Sequence, residues 1–443
     1  MRIAHVAVEQ LVGLRTQTSV CSTGKADTMS QNTGFRLHED NNFDYEVLRS
    51  LGSTRYGFSD IKETLDILPE IKVNDFESWY DEWYGLAKRV TATIDEDKLD
   101  SYSPTTIRNA FFRASHYYFM SEFFLHGNWD DPCSLDACQR WIKYFDLANA
   151  RLPTPGKYIE VQATWGYIPM YFFKAAEASA TSPRPLIILG GGFDSNMEES
   201  FSTFGLDARD RGFNVIIYEG PGQPRVLREQ HVGFIHNWED VVTPLVEYVF
   251  EHAASDLSGV EANKIGLLGL SLGGYLCARA AAFEPRLAAV IAIDGVFSFW
   301  EFALTFASPE AKSAWHAGDE AAFNAEFGKH GLSTATSGQR WVNDHLKFAF
   351  QEKSAYQCYE RLRRFTLENG VAKRIKMPMF VGDAEEDIFS RGQPARVKEA
   401  VGENATLFVF GKEQAAGAHC ASGALTYQNN AVFEWFEGVV SKV

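Results

Sequence analysis

From about residue 186 to the C-terminus, short apolar runs alternate with helical stretches, and no other feature limits the possible folds so strongly. The runs lie at 186–189, 215–218, 265–268, 290–293, 379–381 and 407–410, and several are β-branched. Helical patterns at 238–252, 272–283 and 393–401 separate most of them. Continuous apolar runs separated by helices call for a mostly parallel sheet covered on both faces. Between about 296 and 370 the alternation gives way to a helical, aromatic stretch, which reads as an insertion ahead of the next strand. Upstream, residues 36–165 are helical in pattern. Phe76, Tyr80, Trp83 and Tyr84 recur at i, i+4, i+7 and i+8. Ser103-Pro104 opens a second helix, a cap followed by proline at the first helical position, running through Phe111 to Phe124. The predicted organisation is a helical cap at 36–165 and an α/β core at 166–443 that carries a cap insertion at about 296–370.

With 443 residues, 45% of them apolar and 23% charged, the chain has ample material for a core. Its net charge of −16 repels phosphate backbones and anionic lipid, so neither nucleic acid nor membrane is an expected partner. No apolar run approaches the roughly 18 residues of a spanning helix; the best, 287–300, is cut by Asp294. Six cysteines in a chain this long make no disulfide framework, Cys133 and Cys138 lack a second pair, and His231 and His236 have no metal-type spacing around them. These counts predict reduced thiols, a cytoplasmic protein, no metal and no cofactor. Residues 1–35 are polar and patternless, and read as a disordered extension or as a start placed upstream of a true one at Met29, with a transit peptide as a third reading.

The chemistry centres on Gly269-Leu270-Ser271-Leu272-Gly273, with an apolar strand before it and a small-residue helix after it. A serine at the tip of such a turn is strained and exposed, and the flanking glycines remove side chains that would clash. A serine nucleophile needs a base, and the base needs a carboxylate. His419 is the only histidine after His345 and precedes a C-terminal amphipathic helix, so it is the expected base. The acid is expected in the loop Asp383-Ala384-Glu385-Glu386-Asp387, with Asp387 the first choice and Asp383 and Glu386 the alternatives. Donors for an oxyanion are expected from Leu272 N–H and from the Gly190-Gly191-Gly192-Phe193 loop, with Phe193 preferred and Gly192 second. The turn Glu219-Gly220-Pro221-Gly222-Gln223 reads as structural, as do His116, Tyr117 and Tyr118, and Cys420 reads as a small packed residue.

Taken together, the Gly191-Gly192-Phe193-Asp194-Ser195 run, the Glu219–Gln223 turn, the serine elbow and Gly417-Ala418-His419-Cys420 resemble the α/β-hydrolase superfamily. The resemblance is to the subgroup holding fungal polyketide-shortening hydrolases of pigment pathways, the dihydroxypseudooxynicotine C–C hydrolase and fermentation–respiration switch proteins. It covers roughly residues 40–443, and the stretch from Arg113 to Gly127 looks like the group's cap helix. It implies Ser271 as nucleophile, Asp387 as acid, His419 as base, a helical cap over the site and a homodimer. Glu219 and Pro224 depart from the subgroup's usual Asp and Gly, at positions expected on the substrate-facing rim.

These readings predict cleavage of a C–C or ester bond beside a ketone in a polyketide-like or aromatic small molecule. Lactone formation with the same triad is the runner-up, and a non-catalytic small-molecule binder is the reading from another class. The 34 Phe, 17 Tyr and 10 Trp sharpen the expectation. Residues 36–165 hold 23 of these aromatics and 296–370 hold 14, so both helical segments are expected to roof the site, over a flat or extended apolar substrate. Large side chains filling thin helical layers would account for most of that surplus.

Overall fold

A computed structural model describes residues 35–332 and 334–443. The expectation for residues 1–35 lies outside them, apart from Phe35. Eight strands form one sheet: β1 (Lys157–Ala163), β2 (Gly166–Phe173), β3 (Arg184–Gly190), β4 (Asn214–Tyr218), β5 (Val260–Leu270), β6 (Ala289–Ile293), β7 (Met379–Ala384) and β8 (Ala405–Phe410). Their spatial order is β1-β2-β4-β3-β5-β6-β7-β8. The first two pairings, β1 with β2 and β2 with β4, are antiparallel, and all the others are parallel. This is the α/β-hydrolase architecture, and all six anticipated strands lie in it.

Side chains of β3 divide by parity, as a pleat requires. Leu186 and Ile188 join a core with Val241, Leu245 and Leu276 on one face of the sheet. Ile187 and Leu189 join a second core with Phe433 and Phe436 of the C-terminal helix Leu425–Val440. Both faces are therefore dry, which is why the strands read as unbroken apolar runs.

The hairpin β1–β2 is not among the anticipated elements, and β1 falls inside the segment read as helical. That segment's last helix, Pro132–Asn149, ends before it. β1 is an edge strand with Val161 as its one buried residue, so it carries no continuous apolar run to betray it. The anticipated helix after Ser103 spans Pro104–Glu122, and Ser103 Oγ accepts from Thr106 N at 3.2 Å. The stretch between β6 and β7 is helical, with helices at Phe299–Phe306, Pro309–Ala317, Glu320–Gly328, Ser337–Phe350 and Ala355–Leu362. Among the described residues no helix is long and apolar enough to cross a membrane, and all five cysteines are free thiols.

Candidate active site

Ser271 stands between β5 and the helix Leu272–Ala281, with φ 57° and ψ −122°. A residue with a side chain adopts this conformation only where its surroundings impose it. The glycines explain how the turn closes. A Cβ on Gly269 would strike the Gly273 carbonyl, and one on Gly273 would lie 2.7 Å from the Gly191 carbonyl oxygen.

The side chains of Ser271, His419 and Asp387 come together from three separate loops. His419 Nε2 lies 2.9 Å from Ser271 Oγ, and its Nδ1 lies 2.9 Å from Asp387 Oδ2. Asp387 follows β7, where its carboxylate also accepts from Phe389 N at 2.7 Å and from the Ser390 hydroxyl. Burial alone would raise its pKa, but His419 and these two donors outweigh that and hold it down at about 2. The alternatives do not reach the imidazole. Asp383 is half-buried within β7, and Glu386 is exposed, its backbone N–H donating to the Gly417 carbonyl at 2.9 Å.

Asp294 joins the group, although the sequence did not single it out. It directly follows β6, is fully buried, and places Oδ2 2.9 Å from His419 Nδ1 and 2.6 Å from the Cys420 backbone N–H. Its other oxygen is buried without a partner. The signal was present, since Asp294 is the only charge in the apolar run 287–300. An acid at the end of a buried strand must have a polar partner there. Burial opposes a charge on His419, but the carboxylates of Asp387 and Asp294 favour it and outweigh burial, so the imidazole pKa is pushed up.

Asp294, His419 and Cys420 offer three donor atoms within 4.8 Å of one another. Both imidazole nitrogens are already engaged with Ser271 and the carboxylates, and burial pushes the Cys420 thiol up to about 11. Cys420 lines the cavity and adopts φ 53°.

The glycine loop after β3 faces the elbow. A Cβ on Gly192 would meet Leu270 O at 2.6 Å, Ser271 Cβ at 3.0 Å and Leu272 N at 3.4 Å. Gly192 N–H already donates to Ser195 Oγ at 2.8 Å. Among the described residues, nothing accepts from the N–H of Phe193 or of Leu272.

The cavity over Ser271 is lined largely by apolar side chains, including Phe193, Phe299, Phe302, Trp341, Leu346 and Phe389. One end is polar. There Arg49 binds Glu199 through Nε at 2.5 Å, Glu46 at 3.2 Å and Asp194 at 3.3 Å. Burial, opposed by Arg49, pushes Glu46 up to about 8, so it is largely protonated at neutral pH.

The two helical segments contribute unequally to this lining. Tyr45 is the one aromatic that 36–165 supplies, whereas Trp79, Trp83, Tyr117 and Tyr118 are fully buried among helices. His116 likewise packs inside, its Nε2 2.9 Å from Ser50 Oγ. The expected rim positions need correction too. Glu219 and Pro224 are buried and absent from the lining; Glu219 instead accepts from Met197 N at 2.9 Å and Arg225 N at 2.5 Å, which ties the turn to the helices Met197–Ser200 and Pro224–Gln230.

The fold and the serine elbow define an α/β-hydrolase, and relatives place the chain within that class. No family model matches it. The hydrolase ORFZ of Pyricularia oryzae is 30% identical over 360 residues, covering 79% of this chain and 84% of its own. The 20-hydroxy-prefusarin hydrolase FUS2 of Gibberella moniliformis is 27% identical over 405 residues, covering 89% and 96%. Among solved structures, 2,6-dihydroxy-pseudo-oxynicotine hydrolase superposes with a TM-score of 0.67 at 19% identity, covering 88% of this chain and 96% of that one. The chain belongs to the α/β-hydrolase family, in the group that includes these fungal hydrolases.

Proposed function

We propose that the protein is a serine hydrolase that cleaves a C–C or ester bond beside a ketone in a polyketide-like or aromatic secondary metabolite. The observation that carries this reading is the 2.9 Å approach of His419 Nε2 to Ser271 Oγ on a strained elbow, with a carboxylate at the same distance behind the imidazole. In this reading the Ser271 proton passes to His419 Nε2 as Oγ bonds to the substrate carbonyl carbon, and the carbonyl electron pair moves to oxygen. Phe193 and Leu272 N–H groups receive that oxyanion. Collapse breaks the C–C bond, and the departing enolate takes the proton from His419. Water then gives a proton to His419 and attacks the acyl-enzyme; the acid leaves, and the proton returns to Ser271. For an ester, the leaving alcohol takes the place of the enolate.

The apolar lining fits a neutral, largely hydrophobic substrate. Arg49 is already engaged by Glu199, Asp194 and Glu46, which leaves the polar end unfavourable to anions. The name of the FUS2 relative supports a secondary metabolite as substrate.

The test is a fluorophosphonate probe and isotopic water. Wild type should be labelled at Ser271 and Ser271→Ala should not; an unlabelled, folded wild type overturns the reading. With H2(18)O, hydrolysis places one heavy oxygen in the acid product. A product free of heavy oxygen means an internal hydroxyl replaced water and a lactone formed.

A further inference from the structure

The backbone on both sides of Phe193 is held by side chains to which the proposed reaction gives no role. Gly192 C=O belongs to the same planar amide as Phe193 N–H and points the opposite way. It accepts from Gln223 Nε2 at 3.2 Å. Gln223 is fully buried, and its Oε1 is tied to Gly220 N at 2.8 Å. On the other side, Phe193 C=O accepts from His345 Nε2 at 3.0 Å. His345 also stacks on Trp341, with ring centroids 5.1 Å apart and planes at 7°, and meets the Phe193 ring edge-on at 4.6 Å.

The partners fix the protons along this chain. A carbonyl only accepts, so His345 Nε2 carries a hydrogen. Burial holds this ring neutral, with its pKa pushed down to about 3, so Nδ1 is bare. His126 Nδ1 lies 2.8 Å from it and must donate. His126 Nε2 faces Glu122 Oε2 at 3.2 Å, and that carboxylate also accepts from Ser134 Oγ at 2.7 Å and Arg228 at 3.1 Å. Glu122, His126 and His345 thus form one hydrogen-bonded run that ends at the Phe193 carbonyl.

We propose that Gln223 and His345 are positioning residues that hold the two peptides on either side of the Phe193 Cα, Gly192–Phe193 and Phe193–Asp194, so that the Phe193 N–H is turned toward Ser271, and that His126 and Glu122 fix the proton His345 donates. The proposal rests on the serine hydrolase reading above. Three separate segments meet at the two peptides flanking Phe193: the turn after β4 through Gln223, the insertion through His345, and the N-terminal helical segment through His126 and Glu122. The helical layers thus set the geometry of the oxyanion site as well as covering it.

The experiment compares His345→Leu, which removes the donor, with His345→Gln, whose amide N–H can replace it. The probes are p-nitrophenyl butyrate and a long-chain trifluoromethyl ketone, whose serine adduct carries the oxyanion. Because loss of an oxyanion donor costs about 10²–10³ in rate, a misaimed one should cost about 10–100-fold. H345L should lose that factor in kcat with KM within about twofold, and bind the ketone more weakly by the same factor. H345Q should stay within about threefold of wild type. Unchanged kcat in H345L, a loss confined to KM, or H345Q as poor as H345L overturns the proposal. Should H345L not fold, nitrogen-15 spectra of histidine-labelled wild type test the same proton arrangement. His345 must show the neutral Nε2–H form; an Nδ1–H form of His345 overturns it. Ser271→Ala separates the two readings. Loss of ester turnover in S271A beside full turnover in H345L sinks the clamp alone, whereas turnover surviving in S271A sinks the serine reading and the clamp with it.

Discussion

Asp294→Asn removes one of two carboxylate oxygens that stand 2.9 Å from His419 Nδ1. One N–H cannot point fully at both, and the two acids are anchored differently. Asp387 is held by Phe389 N and the Ser390 hydroxyl, whereas Asp294 has Cys420 N on one oxygen and nothing on the other. Burial and the neighbouring Asp387 push the Asp294 carboxyl up, so Asp387 is the standing anion of the pair.

A hydrogen bond to a charged group is worth about 1.5–3 kcal/mol, which at about 1.36 kcal/mol per decade is about 10–150-fold in kcat if it is lost from the transition-state imidazolium. Asp294 shares its N–H with a better-anchored rival, so D294N belongs at the low end, about tenfold. Loss of a lone triad acid costs about 10⁴, but in Asp387→Asn the Asp294 oxygen remains to accept the Nδ1 proton, so about 10²–10³ is expected. Because each acid covers for the other, the double variant should lose more than the product of the singles. The sign of the pH effect also follows. Both carboxylates favour the protonated base, so D294N should move the acid limb of kcat/KM to lower pH. The assay is p-nitrophenyl butyrate hydrolysis from pH 5 to 9, with thermal melts to establish folding. An unshifted limb with kcat within twofold of wild type would falsify the coupling of Asp294 to the base. A D294N more damaged than D387N would make Asp294 the principal acid.

Gly192→Ala should slow turnover by about tenfold or more, since its Cβ would lie 2.6 Å from Leu270 O and 3.0 Å from Ser271 Cβ and must push the loop off the elbow. Ester kinetics and a melt check it, with about 1–3 kcal/mol of destabilisation expected from overpacking; unchanged kcat would show that the loop can yield freely. His116→Gln should flatten the acid dependence of stability. Burial, with Arg49 nearby, lowers His116 from 6.5 to about 3, so the unfolded chain binds a proton that the folded one refuses, and stability is lost as pH falls from 6.5 toward 3. Glu46 and Glu219, pushed up to about 8 by burial, act in the opposite sense, so the readout is the difference in Tm between wild type and H116Q at pH 7 and 5. Equal slopes would count against a neutral His116.

What was legible in the sequence depended on whether a residue's partner is local. The strand runs at 186–189 and 290–293 were legible because both sheet faces are buried, and the elbow because its glycines answer to contacts within a few residues and to the neighbouring loop. Ser271, His419 and Asp387 could be ordered along the chain because each follows its own strand. β1 escaped because an exposed edge strand lacks the apolar signature. Asp294 escaped because its partner lies 125 positions away, at His419, although a charge closing a buried strand was reason enough to seek one.

The aromatic surplus divides along the same line. In residues 36–165 it is nearly all packing, as in Phe43 against Trp79 at 4.8 Å and Phe124 against Phe76 at 4.8 Å. In the insertion, Phe299, Phe302, Trp341 and Tyr359 reach the cavity. Aromatic residues recurring at helical spacing, as at Phe76, Tyr80, Trp83 and Tyr84, say that a face is buried but not what buries it. The N-terminal segment reaches the cavity chiefly through polar groups, with Glu46 and Arg49 at its end and Tyr45 OH 3.1 Å from Ser422 Oγ near the base. If the roof sets substrate choice, apolar selectivity therefore belongs to the insertion and polar selectivity to the helix Asn41–Gly52. Exchanges at Phe299 or Trp341 should alter chain-length preference among neutral esters, and exchanges at Arg49 should alter the discrimination between neutral and anionic ones.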